Sequence, residues 1–227
     1  MQTLKLGIVG AGFVAHFHAR ALRQCRGVEI AGITSRTRER AVAFSQMVRD
    51  NGLGECVVYP NVAEMANHVD AILIGAPNFV RVEIVEQIVD AVKKGAALKG
   101  VMCEKPLARN VKEARRIVAL AEEVGLTTAY LENQIFMKPV RVQLAQLAPQ
   151  QKTMGPLTLA RSAEEHGGPH EAWFWDPTRQ GGGVLCDMGC HSIAAGWHVM
   201  NPIGKPLTFL QPIYIYADCA LFKWWLM

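Results

Sequence analysis

Leu4-Lys5-Leu6-Gly7-Ile8-Val9-Gly10-Ala11-Gly12-Phe13-Val14-Ala15 is the stretch from which the rest of the chain can be read. An apolar run stops at a glycine, and helix-forming residues then continue from Ala15 to Arg23, which predicts strand, tight turn and helix. In such a unit Gly10 permits the turn, Gly12 lets backbone approach a pyrophosphate, and Ala15 allows helix and strand to pack closely. Phe13 and Val14 sit in the same turn, where unpaired helix N–H groups face phosphate oxygens. The position between a strand and a helix is what makes a glycine pattern a dinucleotide-binding fingerprint.

Outward from this unit the alternation continues. Val28 to Ile33, Val57 to Tyr59, Ala71 to Ile74, Val101 to Cys103 and Thr127 to Leu131 read as short apolar strands. Helical stretches lie between them at Thr37 to Val48, Val82 to Lys94 and Val111 to Val124, with Thr37 available as an N-cap. This predicts an α/β fold with a doubly wound parallel sheet. Met137 to Leu147 reads as a helix leading out of it. Beyond residue 150 the pattern changes to a strand at Pro156 to Ser162, a Gly/Pro/Trp loop at Glu165 to Gly183, and a helix at Val184 to Met200. The expected domains are 1–134, binding a dinucleotide, and 135–227, an incomplete α+β domain.

Half of the 227 residues are hydrophobic, enough for a sizeable core. The formal charge of +4 is spread without a block of like charges, which argues against nucleic acid as a partner. No apolar run is long enough for a bilayer, and no leader pattern precedes the first strand, so membrane association is not expected and the cytoplasm is the expected location. The six cysteines, at 25, 56, 103, 186, 190 and 219, form no Cys-x-x-Cys pair and read mostly as small buried residues of a reduced protein.

The end of the second strand, Thr34-Ser35-Arg36, lacks the acidic residue that accepts from ribose hydroxyls, and Glu29 lies at its far end. Ser35 and Arg36, with Arg40 one helical turn on, suit a 2′-phosphate, so NADP is the expected cofactor, with NAD possible. These arginines could instead solvate a surface helix, an equal alternative for Arg40. Cys103-Glu104-Lys105-Pro106 follows a strand at the sheet edge where ligands bind, and proline holds Lys105 on a defined backbone, with a cis bond possible. A lysine there can polarise a substrate oxygen. Asp187 and His191, four apart in a predicted helix, face one way, with Gly189 leaving room for a ligand. Imidazole suits removal of a hydroxyl proton, and Asp187 can orient it. An isolated Asp/His pair could also be a cap and a core histidine.

Taken in order, Gly10-x-Gly12-x-x-Ala15, Glu104-Lys105-Pro106 and Asp187-x-Gly189-x-His191 resemble the motifs of the Gfo/Idh/MocA-type oxidoreductases, over about Leu4 to Met200. The resemblance implies a Rossmann domain and transfer of hydride between nicotinamide and a sugar, cyclitol or related polyol. Lys105, Asp187 and His191 match the family's catalytic residues. Ala76-Pro77-Asn78 resembles its turn beside the cofactor, Glu104 belongs to its lysine motif, and Asn133 resembles its asparagine near nicotinamide. Arg81 stands where many members carry histidine.

Trp173 and Trp175 could stack on a sugar or pack beneath their loop. Glu165, His166 and His170 could touch substrate hydroxyls or be solvated. His16 reads as a surface residue, and His18 as a packing residue or one that supports a site residue from behind. Cys186, Cys190 and His191 lack the paired spacing of a zinc site, so no metal is expected.

Family members are typically much longer, with a second domain that often supplies a homo-oligomer interface, so the chain reads as truncated at its C-terminus, with its own oligomeric state open. The aromatic tail Tyr214 to Met227 fits that reading. Only a strand or two of the second sheet is expected. Two other functions remain open: a catalytically inactive cofactor-binding or scaffold protein, and an NAD-dependent glycosidase.

Overall fold

A computed structural model describes residues 3–165, 167–168 and 171–219. Six strands form one sheet: β1 (Leu4–Val9), β2 (Val28–Thr34), β3 (Val57–Val58), β4 (Ala71–Ile74), β5 (Gly100–Glu104) and β6 (Thr127–Leu131). Their order is β3-β2-β1-β4-β5-β6, and every pairing is parallel. The order reverses between β1 and β4, which puts the topological switch point at the carboxyl ends of these strands, where doubly wound sheets bind ligands.

Helices cover both faces because the central strands are apolar on both sides. On one face α1 (Phe13–Leu22) and α2 (Arg38–Asp50) enclose Leu6, Ile8, Ile30, Ile33, Phe44 and Val48. On the other α3 (Val62–Ala66), α4 (Arg81–Lys93) and α5 (Val111–Glu123) bury Ile72, Ile74, Val85, Ile88, Val101 and Leu120. Asn61 and Asn110 cap α3 and α5 by accepting from the N–H groups of Glu64 and Glu113, so these starts are set by local chemistry. Thr37 occupies the N-cap position of α2 without a side-chain hydrogen bond. β6 is exposed along most of its length.

Contacts divide the chain into two units: residues 1–133 with 163–192, and 134–162 with 193–227. The first therefore includes a return segment carrying Asp187 and His191. That segment holds a 3-10 turn at Ala172–Trp175, the short α7 (Pro177–Gln180), a π-helical turn at Leu185–Gly189 and the start of α8 (Cys190–Met200). Gly181 has φ +93°, and a Cβ on it would meet the Arg109 carbonyl at 2.5 Å, so only glycine lets this segment lie against the turn after β5. Arg109 also donates to the Thr178 carbonyl at 2.7 Å while pairing with Glu113, whose carboxyl it holds below its ordinary range.

In the second unit α6 (Lys138–Met154) runs through Pro149, past the end expected at Leu147. Trp197 donates to the Leu207 carbonyl at 2.8 Å and Asn201 to that of Lys205 at 2.8 Å. The strand expected at Pro156 to Ser162 does not form: the segment bends at Pro156 and has no regular structure after it, and among the described residues no strand follows β6 to take its backbone hydrogen bonds. Among the described residues no helix is long and apolar enough to cross a membrane.

Candidate active site

The first turn has the shape that its glycines predict. Gly10 has φ +98°, and a Cβ there would lie 3.1 Å from Ala76 N, so glycine meets both a left-handed backbone and a close approach to the turn after β4. Its N–H donates to the Thr34 carbonyl at 2.8 Å, which ties the turn to the end of β2. Gly12 is the N-cap of α1, makes no side-chain cap, and has nothing within 4 Å of where a Cβ would sit. Ala15 is buried against the sheet, while Phe13 and Phe17 are exposed and stacked on one another. Open space over Gly12 and uncapped N–H groups fit a dinucleotide pyrophosphate. Beside β2, Ser35 is half-buried and Arg36 and Arg40 are exposed.

Lys105 follows β5 through a cis Lys105–Pro106 bond, and its ammonium donates to Asp187 twice, to the carbonyl at 2.8 Å and to Oδ1 at 3.0 Å. The preceding Glu104 is held on both carboxylate oxygens: Oε2 accepts from Lys105 N at 3.1 Å, and Oε1 lies 2.5 Å from His18 Nε2. His18 thus joins α1 to the lysine turn. His16, expected at the surface, is half-buried with its ring edge-on to Phe44 at 5.1 Å.

His191 is 6 % exposed, and its Nδ1 lies 2.6 Å from Oε1 of Glu132, itself 5 % exposed. The sequence reading missed Glu132 altogether, although it directly precedes Asn133, which is exposed just beyond β6. The expected orienting role of Asp187 changes accordingly. Glu132 holds the imidazole, and Asp187 holds the lysine. The π-helical turn at Leu185–Gly189 explains the exchange, since its wider winding removes the face-to-face stacking that an α-helix gives residues four apart. Gly189 does not leave ligand space either: a Cβ there would meet Leu185 Cδ1 at 2.8 Å.

Glu132, Cys190 and His191 bring their donor atoms within 4.8 Å of one another. The carboxylate and imidazole already share a hydrogen bond, and the Cys190 thiol donates to the Asp187 carbonyl at 3.4 Å. Burial pushes that thiol up to about 11, so it is neutral. Cys56 and Cys103 are buried, Cys186 and Cys190 are half-buried, and Cys25 and Cys219 are exposed; the expectation of mostly buried cysteines thus holds for two positions.

Asn78 is 1 % exposed and donates to the Gln180 carbonyl at 2.9 Å, pinning the return segment to the turn after β4. Gln180, also unforeseen, braces the glycine run through Gly182 N and the Gly183 carbonyl. Trp173 stacks on Phe174 and meets Phe79 edge-on at 5.6 Å, so a sugar would have to take its remaining face. Trp175 is exposed. His166 and His170 lie outside the described residues.

A parallel sheet with a switch point, an open glycine turn at a helix start, a lysine held by an aspartate and a histidine held by a glutamate are the features of a dinucleotide-binding oxidoreductase fold. The chain belongs to the Gfo/Idh/MocA oxidoreductase family with an NAD-binding Rossmann fold, whose profile matches residues 4–131. It is 27 % identical over 201 residues to 1,5-anhydro-D-fructose reductase of Ensifer adhaerens, covering 86 % of this chain and 56 % of the relative. It is 24 % identical to glucose-6-phosphate 3-dehydrogenase of Bacillus subtilis, covering 87 % and 54 %. Its fold is similar to that of GenD2 from gentamicin A biosynthesis, solved in complex with NAD, with TM-score 0.75, 23 % identity, and coverage of 88 % of this chain and 54 % of the other. The chain spans about half the length of the curated relatives it matches.

Proposed function

We propose that this chain carries the cofactor-binding and reacting residues of a nicotinamide-dependent dehydrogenase or reductase acting on a sugar, cyclitol or related polyol. The observation that carries the reading is the pair of side-chain couples, Lys105–Asp187 and His191–Glu132, brought together from β5, β6 and the return segment. The names of the curated relatives, sugar reductases and dehydrogenases, support the same chemistry. In this reading residues 1–134 are the cofactor domain and 135–227 part of a substrate domain.

The nicotinamide accepts or supplies hydride when bound. The turn at Gly10, Gly12, Phe13 and Val14 would hold the pyrophosphate, and Ala76, Pro77, Asn78, Glu104 and Asn133 would line the remainder of the cofactor. Lys105 has two of its three ammonium protons on Asp187, so the third polarises a substrate oxygen. With Nδ1–H of His191 donated to Glu132, Nε2 would be left to accept the proton of a substrate hydroxyl, or to return it in the reverse direction. Trp173 offers its remaining face to substrate, and His166, outside the described residues, stays a substrate candidate from the sequence alone. Arg36, Arg40 and Ser35 support NADP over NAD, by charge-assisted hydrogen bonds to a 2′-phosphate.

The test is a fluorescence titration with NADPH and NADH, followed by a screen of sugars and cyclitols for absorbance change at the nicotinamide band. Tighter binding of NADPH with turnover of a polyol is expected. Failure to bind either cofactor overturns the reading, and equal efficiency with both removes the NADP preference. Binding without turnover on any polyol would identify a cofactor-binding scaffold instead.

A further inference from the structure

Arg81, the first residue of α4, is 3 % exposed. A buried guanidinium is expensive unless it is paired, and a cation at a helix N-terminus meets the positive end of the helix dipole. Burial accordingly lowers its pKa. Its hydrogen bonds nevertheless go to backbone carbonyls: Nε donates to Ala76 at 2.9 Å, while Nη1 donates to Glu104 and Pro106 and reaches Leu107 at 3.5 Å.

The pattern of acceptors is informative. Glu104 and Pro106 are the residues on either side of Lys105, and Ala76 opens the turn after β4 that Gly10 approaches to within 3.1 Å of a would-be Cβ. A planar fork with fixed N–H directions can bridge two turns at a defined spacing, which the single swivelling ammonium of lysine cannot. We propose that Arg81 is a positioning residue that clamps the Ala76-Pro77-Asn78 turn to the Glu104-Lys105-Pro106 turn and so sets the place of the Lys105 ammonium relative to a dinucleotide on the glycine turn. This rests on the reading of Lys105 as the group that faces substrate. It makes the lysine responsive to cofactor: a ligand that shifts the Ala76 turn moves the carbonyls' common donor.

Lysines labelled with 13C at Cε and 15N at Nζ, with Lys105 assigned through Lys105→Arg, report on the clamp without turnover. Arg81→Lys keeps the charge and loses the fork; Arg81→Met loses both. In whichever variant retains the circular dichroism spectrum of the parent, the Lys105 signal is expected to move or broaden and to lose its response to NADPH. The kcat is expected to fall about 10- to 100-fold with KM changed far less, the signature of a misplaced group. A folded variant with the parental Lys105 signal, before and after NADPH, overturns the proposal even if its melting temperature is lowered. If the parent itself binds no cofactor, the functional reading fails, while the Lys105 signal of the unliganded variants still decides whether Arg81 positions it.

Discussion

Two atoms of one aspartate hold the Lys105 ammonium, which makes its placement, and not its presence, the sensitive quantity. Lys105→Met is expected to lower kcat by about 10²- to 10³-fold, the range for losing one preorganised donor, while the NADPH dissociation constant stays nearly unchanged. Stopped-flow measurement of hydride transfer beside a binding titration checks this; normal turnover would remove Lys105 from the reaction. Lys105 was legible because proline follows it at a strand end. Glu132 was not, because nothing in a linear sequence marks a glutamate 59 residues from the histidine that it holds. Buried thiols give a second prediction at this scale. Burial raises Cys56 from 9.0 to about 12 and Cys103 to about 11. Each stays protonated when folded but ionises when unfolded, so their contribution to stability is complete below pH 9 and is lost as pH rises from there to about 11 for Cys103 and about 12 for Cys56. The melting temperature should decline across that window, and Cys56→Ala should make the decline shallower.

At the scale of the element, the two glycines of the first turn make separable demands. Gly10→Ala places a Cβ against Ala76 at a left-handed backbone, and a loss of about 1–3 kcal/mol in urea unfolding is expected. Gly12→Ala enters empty space, so its cost in urea unfolding should be no more than that of a poorer N-cap, about 1 kcal/mol, while NADPH binding weakens, because the methyl would occupy the approach to the pyrophosphate. A Gly12→Ala protein that binds NADPH as tightly as the parent would dissociate this turn from the cofactor. All six strands were legible, since hydrophobic alternation with helices is a local pattern. The π-helical turn was not, because the i→i+5 bonding at Leu185–Gly189 follows from packing of the return segment and not from residue preference. The strand expected at Pro156 to Ser162 had the right residues, but strand formation is a property of pairs.

For the whole molecule, β6 is the edge of the sheet next to β5 and is exposed along Thr127 to Tyr130. An exposed parallel edge offers unpaired backbone groups to another chain. Concentration-dependent self-association is expected in sedimentation velocity, and Thr128→Lys should reduce it; a monomer at every concentration would show that the edge is protected. The return segment carries a different consequence. Asn78 meets Gln180 across 102 residues, Lys105 meets Asp187 across 82, and Glu132 meets His191 across 59, whereas every sheet pairing except β1 with β4, where Leu6 meets Ala71, closes through a much shorter crossover. Long loops must be closed before such contacts are rewarded, so the sheet and its helices can assemble while the reacting groups are still apart. From the same separation we expect residues 171–192 to open as a cooperative unit with the sheet intact. In amide hydrogen exchange this segment is expected to lose protection at a lower free energy than β1 and β4. Competence and foldedness are then two different equilibria in one chain, and a ligand that bridges the glycine turn and His191 would bring them together.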